Sequence, residues 1–291
     1  MRLRSFLFVP GDSDRKFARG REAGADVLIL DLEDAVAPAM KAAARERVAG
    51  WLGEADTIPA QLFVRVNPLG SDLTDDDLAG VVRPGLSGIM VPKANGASDI
   101  ALIAATVDRL EAVAGMVAGT VRIMVVATET PQAMFALGSY TPPHPRLIAL
   151  TWGAEDLAAA IGATANKEPD GRWTDPYAFA RSLCLFAAAS AGVTPVDTLY
   201  ADFRDTAGLE RNCRRARRDG FLGRIAIHPD QVETINRCFS PSADDIAEAR
   251  LIVDAFAANP GAGTLGIDGR MVDIPHLKAA QKTLAAAGET A

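Results

Sequence analysis

The sequence predicts an α/β fold, a (β/α)8 TIM barrel followed by a C-terminal helical extension. Three observations predict it. Eight short runs rich in Val, Ile, Leu and Phe recur along the chain. Longer Ala- and Arg-rich segments with helical spacing separate them. The length, 291 residues, is somewhat above what such a barrel needs. A doubly wound open sheet shows the same alternation and is the rival fold.

The first run, SFLFVP (5–10), ends on a Pro-Gly turn, and DRKFARGREAGA after it carries apolar residues at helical spacing and closes on glycine. DVLILDLED (26–34), QLFVRVN (61–67) and GIMVPK (88–93) are the second to fourth strands. ASDIALIAATVDRLEAVAG opens on a Ser–Asp pair suited to capping and again closes on glycine. RIMVVATE (122–129) and LIALTWG (147–153) follow, then the helical DPYAFARSLCLFAAASAG, then VDTLYAD (196–202) and GRIAIHP (223–229). Most of these runs are nearly continuous in apolar residues, the pattern of strands buried on both faces of a parallel sheet. Residues 1–238 are assigned to the barrel and 239–291 to the extension, read as a helix, a glycine-rich loop (Gly261, Gly263, Gly266, Gly269) and a second helix. The extension either covers the barrel mouth as a lid, docks on a neighbouring subunit, or packs outside as a terminal helix pair.

A net charge of −7 argues against nucleic acid as the main partner. The three cysteines show no CxxC spacing and read as reduced thiols of a cytoplasmic protein. The six residues between Arg4 and Gly11 are too few for a signal-peptide core, and no stretch approaches the roughly 20 apolar residues of a membrane helix. Phosphate-loop, dinucleotide, HExxH and GxSxG signatures are absent; GAGTLG, without a preceding strand, is weak evidence for a nucleotide.

Barrel enzymes carry their chemistry at the C-terminal ends of the strands. Those ends hold Glu33, Asp34, Arg65, Asn67, Lys93, Glu129, Asp202 and His228, with Asp156 just beyond. Glu129 and Asp156 are the candidate metal ligands, since two carboxylates without His or Cys favour a hard ion such as magnesium. The alternative is a pair of salt-bridged surface acids. Arg65, inside an apolar run, either clamps a substrate carboxylate or pairs with Glu33 or Asp34. Lys93 is either a Schiff-base nucleophile or, preferably, a structural lysine among these carboxylates. His228 is an acid–base group or makes local hydrogen bonds; His144 and His276 show no partner. Arg211, Arg214, Arg215, Arg217 and Arg218 read as a solvated helix face.

Seven segments, RSFLFVPGDSDRKFARG, DLEDAVAP, VRVNPLGS, VVATETPQAM, WGAEDLAAAIG, AIHPDQV and GRMVDIPHLKAAQ, occur in order from about residue 4 to residue 283. They resemble the citrate lyase β-subunit-like proteins of the HpcH/HpaI aldolase superfamily, the malyl-CoA and citramalyl-CoA lyase group. The resemblance implies a barrel holding Mg2+ (or Mn2+) on Glu129 and Asp156, with Arg65 binding the keto-acid carboxylate. Gly153, Ala154 and Glu155 would line the same pocket. It implies an acid–base role for Asp273, supplied by a neighbouring subunit in a homotrimer or hexamer. Phe8 and Arg19 fall where the family contacts coenzyme A, which enters as part of the substrate. Where the family has an arginine after the Pro-Gly turn, this chain has Ser13, and Arg15 is the compensating basic group. The implied reaction is a reversible Claisen-type cleavage of a 3-hydroxyacyl-CoA to an acyl thioester and a 2-oxo acid. Alternatives are a citrate lyase β-like subunit acting on a carrier-protein thioester in a complex, an aldolase acting on free hydroxy-keto acids, and a malyl-CoA thioesterase.

Overall fold

The computed structural model describes residues 3–289. Eight parallel strands, β1 (Ser5–Pro10), β2 (Val27–Asp31), β3 (Gln61–Arg65), β4 (Gly88–Val91), β5 (Arg122–Val126), β6 (Leu147–Thr151), β7 (Thr194–Asp197) and β8 (Gly223–Ala226), pair in chain order. Pairing of β8 with β1 closes them into a barrel, which excludes the open sheet. The helices between strands are α1 (Asp14–Arg21), α2 (Lys41–Leu52), α3 (Thr74–Val81), α4 (Ala97–Val113), α5 (Pro131–Ala136), α6 (Glu155–Ile161), α7 (Asp175–Ala191) and α8 (Thr206–Asp219), with α9 (Val232–Cys238) after β8. None is long and apolar enough to cross a membrane.

Alternate residues of each strand point inward. Phe6, Val27, Ile29, Phe63, Met90, Met124, Val126, Ala149, Val196 and Ile225 fill the barrel as one buried cluster. Phe63 is wholly buried there, and truncating it to Ala costs about 3–5 kcal/mol. The same parity carries the inward series Val27, Ile29 on to Asp31 and the series from Phe63 on to Arg65. The β2–β3 register sets Asp31 opposite Arg65. The apolar stack therefore ends, at its C-terminal rim, in an acid beside a base.

The strands are shorter than the apolar runs suggest. Glu33, Asp34, Asn67, Lys93 and Glu129 lie beyond them in the βα loops. The seventh strand is displaced: the run read as 196–202 begins at Thr194 and ends at Asp197. Asp202 belongs to the loop before α8. Asp197 accepts hydrogen bonds there, which satisfies the buried acid at the strand's end.

The chain divides into two compact units between Asn236 and Arg237. In the second, α10 (Ala243–Ala258) packs on α11 (Ile274–Ala287) through Ala249, Ala280 and Leu284. The glycine-rich stretch is not a plain loop. It forms an antiparallel hairpin, β9 (Thr264–Ile267) with β10 (Arg270–Asp273). Its turn is Asp268-Gly269, both at positive φ (49° and 75°), as a two-residue primed turn demands.

Candidate active site

The βα loops converge on an acid-rich mouth. Arg65 is bound in two-pronged fashion by Asp31, Nε to Oδ1 at 2.7 Å and Nη2 to Oδ2 at 2.6 Å. Its Nη1 lies 2.8 Å from Glu33 Oε2. The Phe8 ring sits 4.6 Å from the guanidinium carbon. Of the two partners read from the sequence, Glu33 pairs with Arg65 while Asp34 pairs with Lys93 instead, and Asp31 is an addition the sequence reading did not name. The signal existed, because Asp31 shares the inward parity of Arg65. The remaining N–H groups of Nη1 and Nη2 are left for an anion.

Lys93 ends up in the left-handed region (φ 52°), which a side chain rarely adopts. That conformation turns its backbone N–H onto Glu129 Oε2 at 2.6 Å. Its ammonium contacts Glu33, Asp34 (3.3 Å) and Asp156 (3.1 Å). Burial lowers the Lys93 pKa, but the bond to Glu33 and the surrounding carboxylates outweigh it and raise it above the ordinary value. The ammonium is thus engaged by three carboxylates, the pairing expected of a structural lysine.

Glu129 follows β5 and precedes Thr130, whose hydroxyl accepts from the Ala133 amide at 3.0 Å and caps α5. The acid in ATETP is 5 % exposed. Burial pushes its carboxyl up to about 8, against the Lys93 amide that lowers it, and Asp156 and Glu33 raise it further. Asp156 lies in the first turn of α6, where the helix dipole favours an anion. The turn joining β6 to α6 is pressed onto Glu129. A Cβ on Gly153 would stand 2.8 Å from Glu129 Cγ and 3.0 Å from Oε1, so only glycine fits. Gly11 is required for a similar reason, with Asp31 O at 2.7 Å from a Cβ there.

Phe8, Arg65, Glu129 and the turn Gly153–Asp156, with Trp152 and Trp173, enclose a cavity of about 210 Å³. Trp173 comes from the α6–α7 connection and meets Trp152 edge to face at 5.0 Å. Nothing local in the sequence announced it. Phe8 and Arg65 also line a larger cleft of about 510 Å³, together with Arg15, Lys16 and Arg19 of α1. Ser13 caps that helix, accepting from the Lys16 amide at 3.4 Å. His228 lines the same cleft but is engaged locally, its ring accepting from the Asp230 amide and stacked 4.6 Å from Phe203.

Five carboxylates (Asp31, Glu33, Asp34, Glu129, Asp156) meet two cations (Arg65, Lys93) at this mouth. Burial above all, with Asp156 and Glu33 adding to it, keeps Glu129 raised. Oxygen donors in surplus beside an acid that resists ionising fit a hard divalent cation. Among the described residues no group of three or more His, Cys, Asp or Glu is arranged to hold a metal. A cation here would therefore complete its shell with water and substrate.

In the second unit, Asp273 caps α11, and its Oδ1 lies 2.5 Å from His276 Nδ1. That bond holds Asp273 below the usual carboxylate range. The sequence showed no partner for His276; it is i+3 across a capping box, a spacing that could have found it. Of the arginines of α8, Arg211, Arg214, Arg215 and Arg218 are exposed and Arg217 is half-buried, Arg214 pairing with Glu210 at 2.7 Å.

Residues 4–229 match the family model described as HpcH/HpaI aldolase/citrate lyase. A (3S)-malyl-CoA thioesterase of Cereibacter sphaeroides is 35 % identical over 98 % of this chain and 94 % of its own length. The human mitochondrial citramalyl-CoA lyase is 32 % identical over 97 % of this chain and 84 % of its own. Among solved structures, CitE from Mycobacterium tuberculosis in complex with magnesium, acetoacetate and coenzyme A superposes with a TM-score of 0.77 at 32 % identity, covering 98 % of each chain. With the family model matched over residues 4–229 and relatives above 30 % identity spanning nearly the whole chain, the chain belongs to the HpcH/HpaI aldolase/citrate lyase family.

Proposed function

We propose that the protein is a magnesium-dependent carbon–carbon lyase that reversibly cleaves a 3-hydroxyacyl-CoA of the malyl-CoA or citramalyl-CoA class to an acyl thioester and a 2-oxo acid. One observation carries the reading: the small acid-lined cavity and the larger cleft with Arg15, Lys16 and Arg19 share Phe8 and Arg65. A short anionic head thus has a place beside a long polyanionic tail. The relatives named above act on CoA esters, and the CitE structure holds magnesium with coenzyme A.

Glu129 and Asp156 would hold Mg2+, or Mn2+ in its place. When bound, the cation supplies Lewis-acid charge to the oxygens flanking the bond that breaks. Arg65, fixed by Asp31, offers its free N–H groups to the keto-acid carboxylate. The amides of the turn carrying Gly153, Ala154 and Glu155 line the same space. Arg15 and Arg19 neutralise phosphates of coenzyme A, and Phe8 keeps the junction between cavity and cleft apolar. In cleavage the substrate hydroxyl gives up its proton as the carbon–carbon bond breaks and the 2-oxo group forms, and Asp273 protonates the departing enolate at its α-carbon; in condensation Asp273 removes that proton and the new alkoxide takes one up. The extension acts as a lid docked on a neighbouring subunit, so the working form is a homotrimer or hexamer, and the protein is cytoplasmic.

The test is 2-oxo acid release from malyl-CoA and citramalyl-CoA with Mg2+ or EDTA, for the wild type and Glu129→Ala. Metal-dependent glyoxylate or pyruvate, lost in the variant, supports the lyase. The thioesterase relative supports a second reading, which free CoA thiol without 2-oxo acid would establish. Activity only on mixing with partner subunits would instead favour a carrier-protein complex.

A further inference from the structure

The turn carrying Asp156 is braced from two sides. Toward β5, the Thr128 hydroxyl accepts from the Gly153 amide at 3.1 Å and lies 3.3 Å from its carbonyl. Toward β7, Trp152 Nε1 donates to Asp197 Oδ1 at 2.7 Å. Asp197 is the last residue of β7 and is 1 % exposed. Its other partners are Arg181 (3.2 and 3.3 Å), Arg224 (2.6 Å) and the Thr198 amide (3.0 Å). Burial pushes Asp197 up, but Arg224 and Arg181 outweigh it and hold the carboxyl below the ordinary range.

This cluster is an expensive way to fill space. Two guanidiniums converge on the buried Asp197, Arg181 also reaching Asp219 at 2.9 Å, and Arg224 Nε finds no hydrogen-bond partner among the described residues. Apolar side chains of similar volume often serve stability as well or better. What they do not provide is an oriented acceptor. The ring that uses it, Trp152, is adjacent in sequence to Gly153 and lines the cavity against Trp173. Fixing the indole at both its N–H and its face fixes the start of the turn. The far end of that turn is Asp156, 3.1 Å from Lys93 Nζ.

We infer that Asp197, acting through the Trp152 Nε1 hydrogen bond, is a positioning residue that sets the Gly153–Asp156 turn for divalent-cation binding. The inference rests on the proposed cation site and names what holds it in place. Arg224, at 2.6 Å, holds Asp197 aimed, Arg181 is shared with Asp219 at 2.9 Å, and Thr128 provides the opposite brace. Supporting groups of this kind typically account for 10–100-fold in metal affinity.

The experiment measures Mn2+ binding by EPR to EDTA-stripped full-length protein, alongside Tm. Asp197→Asn leaves the buried Arg224 without its carboxylate and risks misfolding, so the informative variant is Trp152→Phe. It keeps an aromatic ring while removing the donor together with part of the indole volume, and Asp197 retains Arg181, Arg224 and the Thr198 amide. The expected result is Mn2+ affinity at least about tenfold weaker with a fall in Tm no larger than that of Arg181→Met. Arg181→Met is the contrast. It weakens the ion cluster without removing the Trp152 bond, so Tm falls while Mn2+ affinity stays within about twofold. Wild-type binding that is lost in Glu129→Ala but unmoved in Trp152→Phe overturns this inference alone. Equal weakening in Arg181→Met and Trp152→Phe also overturns it, because general loosening would suffice. No Mn2+ bound by the wild type overturns both this inference and the proposed cation site.

Discussion

Gly153→Ala adds one methyl where the site has least room. The new Cβ would stand 2.8 Å from Glu129 Cγ, about 0.6 Å inside ordinary van der Waals contact, and 3.3 Å from Val126 Cγ1. The backbone has no need of glycine at this position on conformational grounds, since its φ is not positive, so the effect isolates space. Glu129 is unable to swing aside freely, because its Oε2 is held by the Lys93 amide at 2.6 Å. Either that bond lengthens or the turn retreats, taking Asp156 with it. Overpacking of this kind costs about 1–3 kcal/mol, a few degrees in Tm. A displacement of roughly half an ångström to one ångström at reacting groups costs up to about 100-fold in rate. The expected outcome is kcat/KM down by one to two orders of magnitude with weakened Mn2+ binding and a fold that remains intact by circular dichroism. Unchanged Mn2+ affinity and kcat/KM would refute the idea that Glu129 and this turn are locked together.

Three further outcomes follow from the same geometry. Glu129, raised from 4.5 to about 8, contributes full stability to the cation-free protein below pH 4.5 and loses it as pH rises through about 8. Below pH 8 a bound cation must displace its proton, so calorimetry in buffers of different ionisation enthalpy should show affinity rising about tenfold per pH unit and levelling near 8; flat affinity from pH 6 to 8 without proton release would contradict this. Lys93→Gly and Lys93→Ala both remove the ammonium that bridges Glu33, Asp34 and Asp156, yet glycine tolerates φ 52°. Alanine should be less stable than glycine by about 1–2 kcal/mol in urea titrations, and equal stability would show that the left-handed backbone is not strained. Arg65→Lys loses the two-pronged bond to Asp31 at 2.7 and 2.6 Å. Condensation with a 2-oxo acid should show KM for that acid raised by about 100-fold with Mn2+ affinity unmoved, whereas an unchanged KM would exclude Arg65 from carboxylate binding.

Much of the site was legible because the relevant information is local. A strand buried on both faces must be apolar, so Glu129 after VVAT and Arg65 within LFVRV stand out against their own neighbours. The pleat further decides that Arg65 faces the same way as Phe63. In the extension, Asp268-Gly269 carries a hairpin signal in its two residue types, although the glycines around it read as a plain loop.

Other features depend on which distant segments meet. The sequence by itself determined the eight buried strands, the order of strands and helices, and the charged residues that crown the strands. Each follows from side-chain chemistry repeated over a few neighbouring positions. Only the tertiary structure decided that Asp31 binds Arg65 across the β2–β3 register, that Asp197 reaches Trp152 across β6 and β7, and that Lys93 turns left-handed to hold Glu129. Closing the barrel sets register and brings loop ends together, and the energy of those contacts is spread over residues far apart in the chain. No short window of sequence contains both partners.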